Sequence, residues 1–277
     1  MKRTFALASA LLPIALGAIP QSPVITHGLV RDEFGNPLKS TSAMELKLVK
    51  DAEPNGTVYA KTVVGETAYP GMNYRLSLEV DSAGPERPYA VLKGTQMRIR
   101  FLASGVESQA TPAPVFAVPE PGTAQRLDWS LGEDADADGM PDAWETWVLQ
   151  VAGRPYDAGA VAGFKPGDDA DGDGMSNIRE FFAGTDPFLA TDLFAITSYK
   201  RVGDSNRTEI KFTTVPGRTY RVVATPTLTD AVWSPVATTR SAAGVAAYET
   251  YAGTGREITV YIDAPVEDAA FYRVAAN

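Results

Sequence analysis

The chain contains no cysteine. That excludes disulfide staples, cysteine-ligated zinc, thiol nucleophiles and a lipoprotein-type lipid anchor, which needs a cysteine. Histidine is nearly as scarce, with His27 the single one. It stands in an alternating apolar stretch with no motif around it, so it reads as a structural strand position. No H-E-x-x-H helix, G-x-S-x-G elbow or Cys/His pair occurs, and the chain is expected not to be an enzyme. Long apolar runs are also missing. The one candidate, Phe5 to Ile19, follows Met1-Lys2-Arg3 and is broken by Pro13. It is too short to span a bilayer comfortably and has the form of a secretory signal peptide, residues 1–20. The mature chain is expected to be secreted or held at the cell surface, with no membrane span. A basic face is absent too, which argues against nucleic acid as a partner.

What is present is acid, concentrated in one place. Residues 132–192 carry 14 Asp and Glu against 3 Lys and Arg, a net of −11, while the whole chain stands at −9. The remainder is therefore slightly basic, and the acidity belongs to one segment. Within it one pattern occurs twice. Asp134, Asp136, Asp138, Gly139, Met140, Asp142 and Glu145 fill places 1, 3, 5, 6, 7, 9 and 12 of a twelve-residue loop. Asp169, Asp171, Asp173, Gly174, Met175, Asn177 and Glu180 fill the same places. Calcium is a hard cation that takes six to eight oxygens, and this spacing delivers them from a tight turn. Alternate aspartates point inward, and the glycine turns the chain so that the methionine carbonyl faces the ion. The glutamate returns from a first helical turn with two oxygens. Without a cation these carboxylates would repel one another. The expected cofactor is Ca2+, two ions per chain.

A helix is expected to start at Pro141 and Asp142, with Trp144, Trp147, Val148 and Val151 as its apolar face. A shorter one should bury Ile178, Phe181 and Phe182 and stop at Gly184 and Pro187. The Gly/Ala-rich run from Arg154 to Asp168 reads as a loop that adds little core. Neither acidic loop follows a helical pattern, and Pro141 offers no N–H for a bridge between paired hands. The run Asp138-Gly-Met-Pro-Asp-Ala-Trp-Glu145, the run Asp169 to Glu180 and the closing Ala183-Gly-Thr-Asp-Pro187 resemble the thrombospondin type 3-like and dockerin-like (EF-hand-like) calcium loops of secreted bacterial multidomain proteins. The glutamate at place 12 and the long gap between loops depart from dockerins, which weakens the case for a cellulosome-type partner.

On either side the period changes to two. Met44/Leu46/Leu48, Tyr74/Leu76/Leu78/Val80, Met97/Ile99/Phe101 and Leu127/Trp129/Leu131 alternate with polar residues, as in antiparallel sheets with one wet face. The opening, Gly28 to Leu38, resembles the start of carboxypeptidase-regulatory-like sandwich domains. Alternation returns at Phe194/Ile196, Ile210/Phe212, Tyr220/Val222, Ile258/Val260/Ile262 and Phe271 to Val274. The expected fold is mainly β: an N-terminal β-sandwich over 21–131, a double calcium-loop segment with two short helices over 132–192, and a smaller C-terminal β-sandwich over 193–277. The expected function is a non-catalytic secreted or cell-surface calcium-binding module in which calcium rigidifies the junction between the sandwiches. The alternative is a glycan-binding or adhesion protein using Trp233 or Tyr251. Its partner would be a cell-surface glycan or another envelope protein.

Overall fold

Alternation in the first hundred residues becomes strand almost wherever it occurs, because each strand has one apolar row to bury. The computed structural model describes residues 21–65, 71–82, 87, 89–203, 206–229, 233–263 and 271–276. The expected signal peptide lies outside them. The fold is mainly β. A five-stranded sheet has the path 115–117, Gln96–Ala103, Met44–Lys50 and Ala60–Val63, with Val106–Ser108 also on Gln96–Ala103. Its long pair sets Leu46 opposite Phe101 and Leu48 opposite Ile99. A three-stranded sheet orders Ala124–Arg126, Val24–Gly28 and Tyr74–Leu78, and another orders Ala110–Thr111, Trp129–Leu131 and Val30–Arg31. Leu46, Leu48, Tyr74, Leu76, Ile99, Phe101 and Trp129 share one core. The pairing is not purely antiparallel as the alternation suggested. Residues 24–31 lie parallel to 124–131 in two pairings, so the start and end of this unit are neighbours. Parallel neighbours require a long crossover, and here nearly the whole N-terminal unit serves as one.

A second β core lies C-terminal, around Phe212, Tyr220, Val222, Val260 and Ile262. One sheet there orders Ile196–Arg201, Arg207–Phe212, Ile258–Asp263 and Thr238–Thr239. Another gathers Ser234–Pro235, Tyr251–Ala252 and Phe271–Ala276 on the strand Thr219–Thr225.

Between them stand three short helices: α1 (Asp142–Val151), α2 (Ala158–Val161) and α3 (Asn177–Ala183). Pro141 is the residue just before α1, one place earlier than expected, where its lack of an N–H costs nothing. Two expectations need correction. Trp147 and Val151 are 50% and 62% exposed, and the buried face of α1 is Trp144, Glu145, Val148 and Leu149. Glu145 must face inward, and that requirement turns the helix by about one residue. The Arg154–Asp168 run is also not bare loop. It forms α2, capped by the Asp157 carboxylate, and places Val161 and Phe164 in a small core with Met140, Trp144, Val148, Leu149 and Phe181. Trp144 meets Phe181 at 5.1 Å and Phe164 at 6.1 Å. Helices of one to three turns are marginal alone, so this cluster and whatever binds the loops must hold them.

Candidate metal centre

The chain folds each acidic loop onto its first aspartate. Asp134 accepts from the N–H groups of Asp138 at 3.1 Å and Gly139 at 3.0 Å. Asp169 accepts from Gly172 at 2.7 Å and Gly174 at 2.9 Å. Such side-chain-to-backbone bonds curl the chain tightly. At the sixth place Gly139 and Gly174 have φ of 99° and 98°, a conformation that side chains rarely adopt. The result is convergence: Asp134, Asp136 and Asp138 bring one carboxylate oxygen each within 4.8 Å of one another, as do Asp169, Asp171 and Asp173. Met140 and Met175 occupy the seventh place, where the backbone carbonyl would be the ligand atom for a calcium ion.

The ninth and twelfth places complete the arrangement. Asp142, the first residue of α1, accepts the Ala135 N–H at 3.0 Å. Asn177 opens α3 and donates Nδ2 to the Lys165 carbonyl at 2.7 Å. Glu145 and Glu180 sit one helical turn on and are fully buried. Burial first, then the neighbouring aspartates Asp138, Asp136, Asp142 and Asp134, push the Glu145 carboxyl up to about 9. Burial together with Asp171 and Asp173 pushes Glu180 up to about 8, opposed by the Thr185 hydroxyl.

These sites lack partners where partners should be. Eight buried side-chain oxygens have no hydrogen-bond partner among the described residues, and seven of them lie in the two loops: Asp138 Oδ2, Glu145 Oε1 and Oε2, Asp171 Oδ2, Asp173 Oδ2, Asn177 Oδ1 and Glu180 Oε2. The eighth, Glu209 Oε1, has the Lys200 ammonium at 3.2 Å. Buried carboxylate oxygens are very rarely left unpaired, because desolvation alone costs several kcal/mol. Cation loading removes both the desolvation and the repulsion. The donor set is all oxygen, with neither nitrogen nor sulfur, which suits a hard ion of the calcium type. The residues that would hold it are those at places 1, 3, 5, 7, 9 and 12 of each loop.

Sequence reasoning missed four residues around the loops. Thr111, from the N-terminal sheets, donates its hydroxyl to Asp134 Oδ2 at 2.5 Å. Lys165 reaches Asp136 at 3.3 Å. Thr185 donates to Glu180 Oε1 at 3.3 Å. Arg218, from the C-terminal unit, gives Nε to the Phe182 carbonyl at 3.0 Å and Nη1 to Asn36 Oδ1 at 2.6 Å. Its Nη2 goes to the carbonyls of Phe34 and Phe181, each at 2.9 Å. One buried guanidinium thus ties the end of α3 to both β units. Burial, with Arg31 nearby, lowers its pKa to about 10. Glycine makes the room: a Cβ on Gly35 or Gly184 would come within 3.1 Å of Arg218, and one on Gly217 would strike Asn36 at 2.8 Å. Thr185 stands in the Ala183 to Pro187 run that closes the second loop, though that run assigned it no role; the other three have no local signature, since each partner is distant in sequence.

The remaining candidates fall elsewhere. Tyr251 is buried, its hydroxyl bonded to Thr238 at 2.6 Å, and half-buried Trp233 lies under the Arg273 guanidinium at 4.4 Å. His27 sits in the strand Val24–Gly28 opposite Arg75 and Arg126. Burial and those arginines hold its pKa down, countered by Asp128. No described helix is long and apolar enough to cross a membrane. No family model, curated protein or solved structure matches the chain.

Proposed function

We propose that this chain is a non-catalytic, secreted or cell-surface calcium-binding module whose ions stiffen the joint between two β units. The observation that carries the reading is Glu145, a fully buried carboxylate with both oxygens unpartnered beside three converging aspartates. Such a group needs either a cation or a retained proton, and three aspartates converging beside it favour the cation. Thr111 links the first loop to the N-terminal sheets, and Arg218 links α3 to both sides. Calcium bound only to the folded form stabilises it by RT ln(1 + [L]/Kd), about 2.7 kcal/mol at a hundredfold excess over Kd.

Calorimetric titration of the chelator-stripped chain tests the reading. Two ions per chain are expected, with dissociation constants near the extracellular range of about 10⁻⁴–10⁻³ M or somewhat tighter. Zero stoichiometry would sink it. Small-angle scattering then tests the joint: the particle should broaden in chelator while circular dichroism keeps its β signal.

A second reading, glycan binding or adhesion, gains support at a different place from Trp233 and Tyr251. Exposed Trp147 meets Phe34 edge-on at 6.3 Å, in a cleft of about 560 Å3 that also holds Asp186 and Asp192. Aromatic faces beside carboxylates suit sugar rings. A glycan array run with the wild type and Trp147→Ala separates the readings.

A further inference from the structure

Arg218 and Arg31 are both buried arginines at the joint, and they differ in one respect. Every nitrogen of Arg218 has an acceptor. Arg31, only 4% exposed, has none at Nε. Its nearest carboxylate oxygen, Asp128 Oδ2, lies 3.9 Å from Nη2, beyond hydrogen-bond range. Asp128 is engaged elsewhere: Oδ1 accepts the Leu29 N–H at 2.8 Å, and Oδ2 takes Arg126 Nε and Nη2, each at 3.1 Å. The Arg31 guanidinium is otherwise stacked on Phe182, 5.3 Å from the ring centre.

Arg31 lines an open cavity of about 460 Å3 with Asp128, Ser130, Trp129, Ile178 and Phe182. Positive charge dominates its surroundings. Arg126 acts on Arg31, and Arg126 and Arg273 act on Arg221, with Asp128 the carboxylate common to both. Arg218 adds to the same field. Arg221 repeats the anomaly, its Nε being buried without a hydrogen-bond partner. A buried, unanswered guanidinium N–H costs on the order of 1–3 kcal/mol, and a charge-assisted bond to an oxyanion repays that cost. Arginine is the side chain best shaped for such a ligand.

We propose that this cavity is an oxyanion site anchored by Arg31. It takes a sulfate, phosphate or carboxylate group, free or at the end of a larger ligand. The cavity borders the acidic loops, since Gly139 of the first and Ile178 of the second line its wall, but none of the residues at the loops' oxygen-bearing places does.

The test follows the Arg31 Nε–H resonance, assigned through its own backbone amide, in the full chain without added calcium so that phosphate stays dissolved. Sodium sulfate, phosphate and acetate are titrated separately against sodium chloride at constant ionic strength. A saturable shift with at least one oxyanion, absent with chloride, is expected. Response to sulfate and phosphate alone assigns a tetrahedral anion, and response to acetate alone assigns a carboxylate. Asp128→Asn removes the one carboxylate of the lining and should lower the midpoint about tenfold, the worth of one charge interaction of about 1.4 kcal/mol. Arg98→Gln, whose arginine pairs with Asp51 away from the cavity, should leave it unchanged. No saturable shift with any of the three anions, or a midpoint not lowered in Asp128→Asn, would overturn the proposal.

Discussion

Glu145 closes the first acidic loop with neither oxygen partnered, whereas Glu180 closes the second with one oxygen held by Thr185 at 3.3 Å. The first loop offers five carboxylates, the second four and the amide of Asn177. At the fourth place the first loop forces Ala137 to φ 57°, where the second has Gly172 at φ 82°. The first is tied to the N-terminal sheets by Thr111. The second runs into α3, whose last carbonyls are held by Arg218. Identical spacing therefore hides two designs. The first loop is strained and leaves its closing carboxylate unanswered, while the second is partly pre-held and coupled to the C-terminal unit.

The largest effect should come from cutting that coupling. Arg218→Met leaves the carbonyls of Phe34, Phe181 and Phe182 and the Asn36 amide without their donor. A loss of a few kcal/mol is expected, since each buried acceptor left without a donor costs about 1–3 kcal/mol before relaxation. Differential scanning calorimetry should show the C-terminal unit melting separately, and calorimetric titration should show the second ion weakened more than the first. Equal weakening of both ions would break the proposed asymmetry.

Next is the closing carboxylate. Glu145→Gln should weaken the first ion by more than the roughly 10–100-fold typical of an outer-shell partner. In chelator the same variant should melt higher than the wild type, because a buried, unanswered carboxylate is gone. Glu180→Gln should show the same crossing of signs with smaller amplitude, since Thr185 already answers one of its oxygens. Melting curves in calcium and in chelator check both.

pH offers a gentler handle. In the metal-free protein Glu145 and Glu180 are raised to about 9 and about 8 from an ordinary 4.5. The folded form then keeps protons that the unfolded chain has released. Between about pH 4.5 and 8–9, raising the pH in chelator should lower stability, with the contribution fully present only below about 4.5. Calcium requires the ionised carboxylates, so saturation should flatten or reverse this slope. Chemical denaturation along a pH series in each condition measures it, and Glu145→Gln should remove the larger part.

The convergent loops were legible in the sequence because their residues are local: alternate aspartates, one glycine and one glutamate fix a turn by themselves. The β character was legible for the same reason, through alternation along each strand. The orientation of α1 was not. Apolar spacing selects Trp144, Trp147, Val148 and Val151, and only the demand that Glu145 face inward moves the buried row to Trp144, Glu145, Val148 and Leu149. Val161 and Phe164 were hidden because single apolar residues in a Gly/Ala-rich run have no period. The parallel pairing of 24–31 with 124–131 and the reach of Arg218 across more than 180 positions to Asn36 and Phe34 are products of the assembled fold. Gly35, Gly184 and Gly217 were plain to see as turn residues, but the guanidinium network they accommodate belongs to no local pattern.

The smallest expected effect isolates the strain. Ala137 is one of few described residues other than glycine with a positive φ, and it occupies the place that glycine fills in the second loop. A left-handed conformation costs an L-residue with a Cβ roughly 1–2 kcal/mol. Glycine removes that cost but adds about 0.5–1 kcal/mol of backbone entropy in the unfolded chain. The balance predicts that Ala137→Gly gains up to about 1 kcal/mol. Because the strain exists in the folded loop with or without the ion, melting in chelator and in calcium should rise together. The reverse change, Gly172→Ala, should impose the same cost on the second loop and lower both curves by a similar amount. If Ala137→Gly raised stability in calcium alone, the metal-free first loop would have already relaxed out of this conformation. The ion, not the chain, would then be what holds Ala137 at φ 57°.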